Sequence, residues 1–95
     1  MKSRSHLQGI DPVTPEMRIA VFKRDKMCVA PMIDYFCDPC SGRLTLDHVK
    51  SEPMMGKRAP SDMAHLVTVC WHHHMDGWAT AHRAELREYL ARVNA

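Results

Sequence analysis

Ninety-five residues are too few to bury a comfortable apolar core unaided, so a metal or disulfide staple is expected. No apolar run approaches the length of a membrane span, and Met1 to Pro15 is polar and lacks the apolar segment of a signal peptide; an intracellular protein with reduced cysteines is therefore expected. The net charge of +2 is too small to define a partner; Lys2, Arg4, Arg18, Lys23, Arg24 and Lys26 crowd the N-terminal quarter, and Arg83, Arg87 and Arg92 mark the C-terminal helix, where charge alone fits phosphate tracking and solvated helix faces equally well.

Residues 1–13 carry Ser, Gly and Pro without a period and read as a flexible arm ahead of one domain, 14–95. Thr14-Pro15-Glu16 is a helix start: a hydroxyl cap, a proline at the first helical position and an acid in the first turn. The helix is expected to run to about Lys26, with Met17, Ile19, Val21 and Phe22 as core candidates. Cys28 to Gly42, with two prolines, a glycine and three cysteines, reads as loop and knuckle. Arg43 to Asp47 alternates polar and apolar residues and predicts a strand ending at Asp47-His48; Leu66 to Val69 predicts its antiparallel partner. The long connection Lys50–Met63, with Pro53, Gly56 and Pro60, has the length of a functional loop. A helical pattern begins at His72, breaks at Gly77-Trp78, and resumes after a Thr80 cap from about Ala81 to Val93, with Leu86, Tyr89, Leu90 and Val93 on one face. The fold class is α+β.

Cys37-x-x-Cys40 and Cys70-x-x-His73 are short ligand steps of the kind that span an edge of a zinc tetrahedron. Cys40, Cys70 and His73 belong to every arrangement that closes a structural Zn²⁺ site; Cys28 and Cys37 compete for the fourth place, and spacing alone favours Cys37. A second constellation is Asp47, His48 and His74. A carboxylate and an imidazole suit a divalent cation with open positions. Neighbouring strand residues point to opposite faces, so Asp47 and His48 divide the work: one binds the cation and the other addresses a water beside a scissile phosphate. One metal and one histidine make a minimal phosphodiesterase.

These residues resemble the HNH endonuclease family, whose core is a ββα-metal unit. The match covers roughly Arg24 to Trp78. Leu44-Thr45-Leu46-Asp47-His48-Val49 looks like the family's first strand, and His65 to Cys70 like its Asn-Leu-x-x-Leu-Cys segment. Cys70-Trp71-His72-His73-His74 looks like its Cys-x-x-Cys-His, with His73 in place of the second cysteine. The resemblance implies His48 as general base, Asp47 and His74 as ligands of the catalytic cation, and His65 at the middle position, where the family usually has asparagine to brace the loop. The run Arg24-Asp25-Lys26-Met27-Cys28 resembles members whose first zinc cysteine follows an Arg-Asp step, which shifts the zinc set to Cys28, Cys40, Cys70 and His73 with Cys37 spare. The implied fold is a ββα-metal finger with a zinc knuckle, core about 24–80, flanked by an N-terminal and a C-terminal helix.

The chain is also similar to small free-standing HNH proteins of phages and prophages, which implies cleavage of duplex DNA in genome packaging or processing, with packaging proteins as partners. Lys50, Lys57 and Arg58 on the hairpin loop and Arg18 and Lys23 on the first helix are the expected DNA contacts. Mg²⁺ or Mn²⁺ is the expected catalytic cation, with Zn²⁺ or Ni²⁺ as alternatives. His82 and Arg83 are expected as surface residues, and Trp71 and Trp78 as packing around the metal helix. The rival readings are a zinc-stapled nucleic-acid-binding module without turnover and a nuclease subunit active only beside a packaging partner.

Overall fold

A computed structural model describes residues 13–49 and 60–95. In chain order the elements are α1 (Pro15–Asp25), α2 (Ala30–Ile33), β1 (Leu44–His48), β2 (Leu66–Cys70), α3 (Trp71–Met75), α4 (Trp78–Ala81) and α5 (Arg83–Val93). The strands form a two-stranded antiparallel sheet in the register Leu44↔Cys70 to His48↔Leu66. The α+β class and the expected hairpin are present.

Helix α1 starts as its sequence dictates: Thr14 Oγ1 accepts from the Met17 N–H at 3.1 Å, which satisfies one of the free donors of the first turn. It ends at Lys26, which adopts the left-handed conformation at φ 71° and donates its N–H to the Phe22 carbonyl. Only Val21 of the four expected core residues is fully buried, and Ile19 is 58% exposed. The helix is held instead by charge. Asp25 is buried and accepts from Arg24 Nε at 2.7 Å, the Thr68 N–H at 2.9 Å and the Tyr89 hydroxyl at 2.6 Å. The Arg24 guanidinium also donates to the carbonyls of Met63 and Leu66. This pair ties α1 to β2 and α5, so Arg24 is a structural residue and not the phosphate contact its position in the basic N-terminal quarter suggested.

Every residue of β2 is buried. One edge pairs with β1. Along the other, the Thr68 N–H meets Asp25, the Thr68 carbonyl accepts from the Val29 N–H at 3.0 Å, and the Leu66 carbonyl accepts from Arg24. The chain after α1 thereby covers an edge that would otherwise carry unsatisfied backbone groups. Around β2 lies one apolar cluster: Val29, Ala30, Val49, Val67, Val69, Trp78, Leu86, Tyr89 and Leu90, together with Cys28 and Cys70.

Three local expectations are corrected. The knuckle is not all loop: α2 forms inside it because Pro31 sits in the first turn of a helix, where no N–H is needed. Thr80 does not cap the last helix. It lies within α4, which begins after Gly77 in the left-handed conformation at φ 89°, and α5 starts at Arg83 with no side-chain cap. Val93 is exposed, while Leu86, Tyr89 and Leu90 are buried as expected.

Candidate functional site

Four ligand-bearing side chains converge from four places in the chain. Cys28 follows α1, Cys40 follows α2, Cys70 ends β2, and His73 lies one turn into α3. Their Sγ and imidazole nitrogen atoms all lie within 4.8 Å of one another. His73 Nδ1 is 3.6 Å from Cys28 Sγ and 3.1 Å from Cys70 Sγ. Zinc bond lengths place neighbouring tetrahedral ligands about 3.5 Å apart for sulfur and nitrogen and about 3.8 Å for two sulfurs, so the cluster has the dimensions of a metal site. Cys70 caps α3 and accepts the N–H groups of His73 and Ser41. Burial alone would raise the Cys70 thiol, but these donors and the His73 ring bring it down to about 6, which favours the ligating thiolate. Cys40 is pushed up to about 12 by desolvation, by hydrogen bonding to Cys28, and by the charges of the neighbouring cysteines. A cation among these ligands would offset that repulsion and favour the Cys40 thiolate. His73 Nε2 is buried without a hydrogen-bond partner among the described residues; its ring stands edge-on to Trp78 at 5.7 Å.

Three thiolates and an imidazole are soft and borderline donors of the set zinc prefers. Cys28, not Cys37, completes this cluster. Cys37 is half-buried against the core, and its thiol is raised by burial and by nearby Asp34, Cys28 and Asp38. The Cys-x2-Cys spacing was thus a misleading guide: α2 turns the chain so that Cys28, twelve residues before Cys40, faces the same point.

The second constellation lies where β1 meets α3. Asp47 Oδ1 stands 3.6 Å from His74 Nδ1, a nitrogen that is buried and has no hydrogen-bond partner among the described residues. Burial pushes the Asp47 carboxyl up, against the pull of His74, Arg83 and His48. His48 is exposed, with Nε2 at 2.9 Å from Ser61 Oγ. His48 and His74 line one open cleft of about 600 Å³, whose walls also carry Leu44, Leu46, Arg18 and Arg43. Strand alternation puts His48 on the face of Leu44 and Leu46, as the sequence required.

His65 has different neighbours. Its Nδ1 is 2.7 Å from Asp62 Oδ1, its carbonyl accepts from the Val49 N–H, and its side chain lines a separate cavity with Arg87, Leu90 and Asn94. It braces the entry to β2 at the turn that also carries Ser61. Of the expected DNA contacts, Arg18 lines the cleft and Lys23 is exposed on α1; Lys50, Lys57 and Arg58 lie outside the described residues.

Trp78 packs in the core, but Trp71 is 45% exposed and carries the Arg43 guanidinium over its ring at 5.3 Å. Sequence reasoning counted Arg43 only as a strand residue and Trp71 as core; the signal was their juxtaposition just past the Leu44↔Cys70 pair. His82 is no free surface group: it stacks on Trp78 at 4.4 Å and its Nδ1 is 2.9 Å from the Trp78 carbonyl oxygen.

The fold and site define a small α+β domain with a Cys3His cluster able to hold a metal such as zinc. No described helix is long and apolar enough to cross a membrane. Comparison with protein-family models, with curated proteins and with solved structures found no match.

Proposed function

We propose that this chain is a metal-dependent DNA endonuclease of the HNH type, with the Cys3His cluster as its structural zinc site. The observation that carries the reading is the buried His74 Nδ1, without a hydrogen-bond partner among the described residues, facing Asp47 at 3.6 Å, while His74 itself lines the cleft that also holds His48. That separation is too long for a hydrogen bond and close to the spacing of two ligands on one cation, about 3.0–3.5 Å for bonds near 2.1 Å. The raised Asp47 carboxyl points the same way, since a desolvated carboxylate regains by coordination what it lost in hydration.

Asp47 and His74 hold the cation, Mg²⁺ or Mn²⁺, which would supply charge neutralisation at the phosphoryl and leaving oxygens. His48 does the proton chemistry. The contact of its Nε2 with Ser61 Oγ at 2.9 Å orients the ring, and the neutral imidazole takes the proton of the attacking water. In-line attack then leaves a 5′-phosphate and a 3′-hydroxyl, as the family resemblance implies. The substrate is duplex DNA, and the resemblance extends the role to phage genome packaging or processing.

The test is incubation of folded, zinc-loaded protein with supercoiled plasmid and each of Mg²⁺, Mn²⁺, Ni²⁺ and Zn²⁺, beside His48→Ala. Cation-dependent nicking that disappears in the variant is expected. Absence of nicking with every cation would overturn the reading in favour of a binding module or a partner-dependent subunit.

A further inference from the structure

The cleft beside His48 carries two arginines that its proposed chemistry does not use. Arg18 comes from α1 and Arg43 from the residue before β1. Among the described residues neither guanidinium has a hydrogen-bond or ion-pair partner. Arg24 shows the contrast, with its donors spent on Asp25 and two carbonyls.

Arg43 is held in place by backbone. The ladder continues past the last strand pair, with the Trp71 N–H donating to the Arg43 carbonyl at 2.8 Å and the His72 N–H to the Ser41 carbonyl at 3.0 Å. Gly42 makes the approach possible. Its φ is 84°, and a Cβ there would stand 2.7 Å from Trp71 Cβ. The Arg43 guanidinium therefore lies over a half-exposed indole, 5.3 Å from the ring centroid, with its charge turned to an open cleft. A guanidinium held over an aromatic face by cation–π attraction keeps its N–H donors for a two-point contact with a phosphate. The exposed indole edge and the Leu44 and Leu46 side chains suit the apolar faces of sugars and bases.

We propose that Arg43, fixed on Trp71, grips the backbone of duplex DNA next to the phosphate presented to His48, with Arg18 holding the strand from α1. The inference rests on the nuclease reading of the same cleft and names positioning residues for it.

The experiment measures binding of a fluorescently labelled DNA duplex by anisotropy over a salt series. It uses the full, zinc-loaded chain with His48→Ala to prevent cutting, alone and combined with Arg43→Gln, Arg18→Gln or Arg92→Gln. Arg92 is the matched control, since it lies over Tyr89 at 5.9 Å on α5 and does not line the cleft. Arg43→Gln should weaken binding about tenfold and reduce the slope of log K against log salt by about one, with Arg18→Gln behaving alike. Arg92→Gln should change affinity less than about twofold. In the otherwise unaltered enzyme, Arg43→Gln should raise KM and leave kcat nearly unchanged.

Unchanged affinity and slope in both Arg43→Gln and Arg18→Gln, or an equal loss in Arg92→Gln, would overturn the inference. Should Arg43→Gln fail to fold, Arg18→Gln decides. Arginine-dependent binding by a parent protein that cuts plasmid under no cation would uphold the cleft and sink the nuclease reading. A parent that does not bind duplex DNA would sink both.

Discussion

The choice between Cys28 and Cys37 gives a prediction that the geometry makes quantitative. Cys28 Sγ belongs to the group of four ligand atoms within 4.8 Å and lies 3.6 Å from His73 Nδ1, whereas Cys37 does not enter the group. Structural zinc contributes about 10–16 kcal/mol of binding free energy. Shared evenly over four ligands, one thiolate accounts for about 2.5–4 kcal/mol, or roughly 10²–10³-fold in zinc affinity. Cys28→Ser should lose zinc affinity by that factor, and Cys37→Ser should stay within a few-fold of the parent. Competition against a chromophoric chelator measures the affinities. Substitution with Co²⁺ then counts thiolates, because the sulfur-to-metal charge-transfer band should weaken by about a third in Cys28→Ser and hold its intensity in Cys37→Ser. The reverse pattern would show that the chain closes its knuckle through Cys37 and would refute the assignment of α2 as the element that swings Cys28 onto the metal.

The same structure makes three further predictions. Asp25→Ala removes the shared acceptor of Arg24, Thr68 and Tyr89 and leaves a guanidinium uncompensated; a loss of about 3–5 kcal/mol is expected, read as a fall of at least about 12 °C in the thermal midpoint of zinc-loaded protein. Gly42→Ala meets both a positive φ and the Trp71 Cβ at 2.7 Å, so it should cost about 1–3 kcal/mol in urea unfolding and shift the tryptophan emission. Tyr89 is pushed up to about 12 by burial and by its hydrogen bond to Asp25. The folded state thus favours the neutral phenol, and its contribution is complete below the ordinary value near 10 and lost as pH rises from about 10 to about 12. The urea midpoint should fall over that interval, and Tyr89→Phe should flatten the decline.

How much the sequence disclosed depended on whether the signal was local. The alternation of Arg43–Asp47 and the β-branched run Leu66–Val69 gave the hairpin almost to the residue: β1 is a partly exposed strand, whereas β2 is buried throughout and reads as a continuous apolar run. Cys70 and His73 were legible because their spacing matches one turn from a helix cap. The cap of α1 was legible in Thr14-Pro15-Glu16 for the same reason.

The remainder turned on contacts between distant residues. Ile19 looks like core until Arg24 and Asp25 are seen to anchor α1 in its place. No spacing rule could rank Cys28 above Cys37, since the choice depends on a helix formed among prolines and cysteines. Likewise, the pairing of Arg43 with Trp71 follows from the backbone ladder and a positive-φ glycine, neither of which leaves a periodic trace.

The central claim assigns different work to His48 and His74, and single-turnover cleavage of an end-labelled DNA duplex across a wide range of Mg²⁺ or Mn²⁺ concentration separates them. If His74 is a cation ligand and His48 the base, His74→Ala should cleave poorly at low cation and recover as the cation is raised. His48→Ala should stay slow at every concentration. Recovery of His48→Ala by added cation, or cleavage by either variant that matches the parent throughout, would contradict the account.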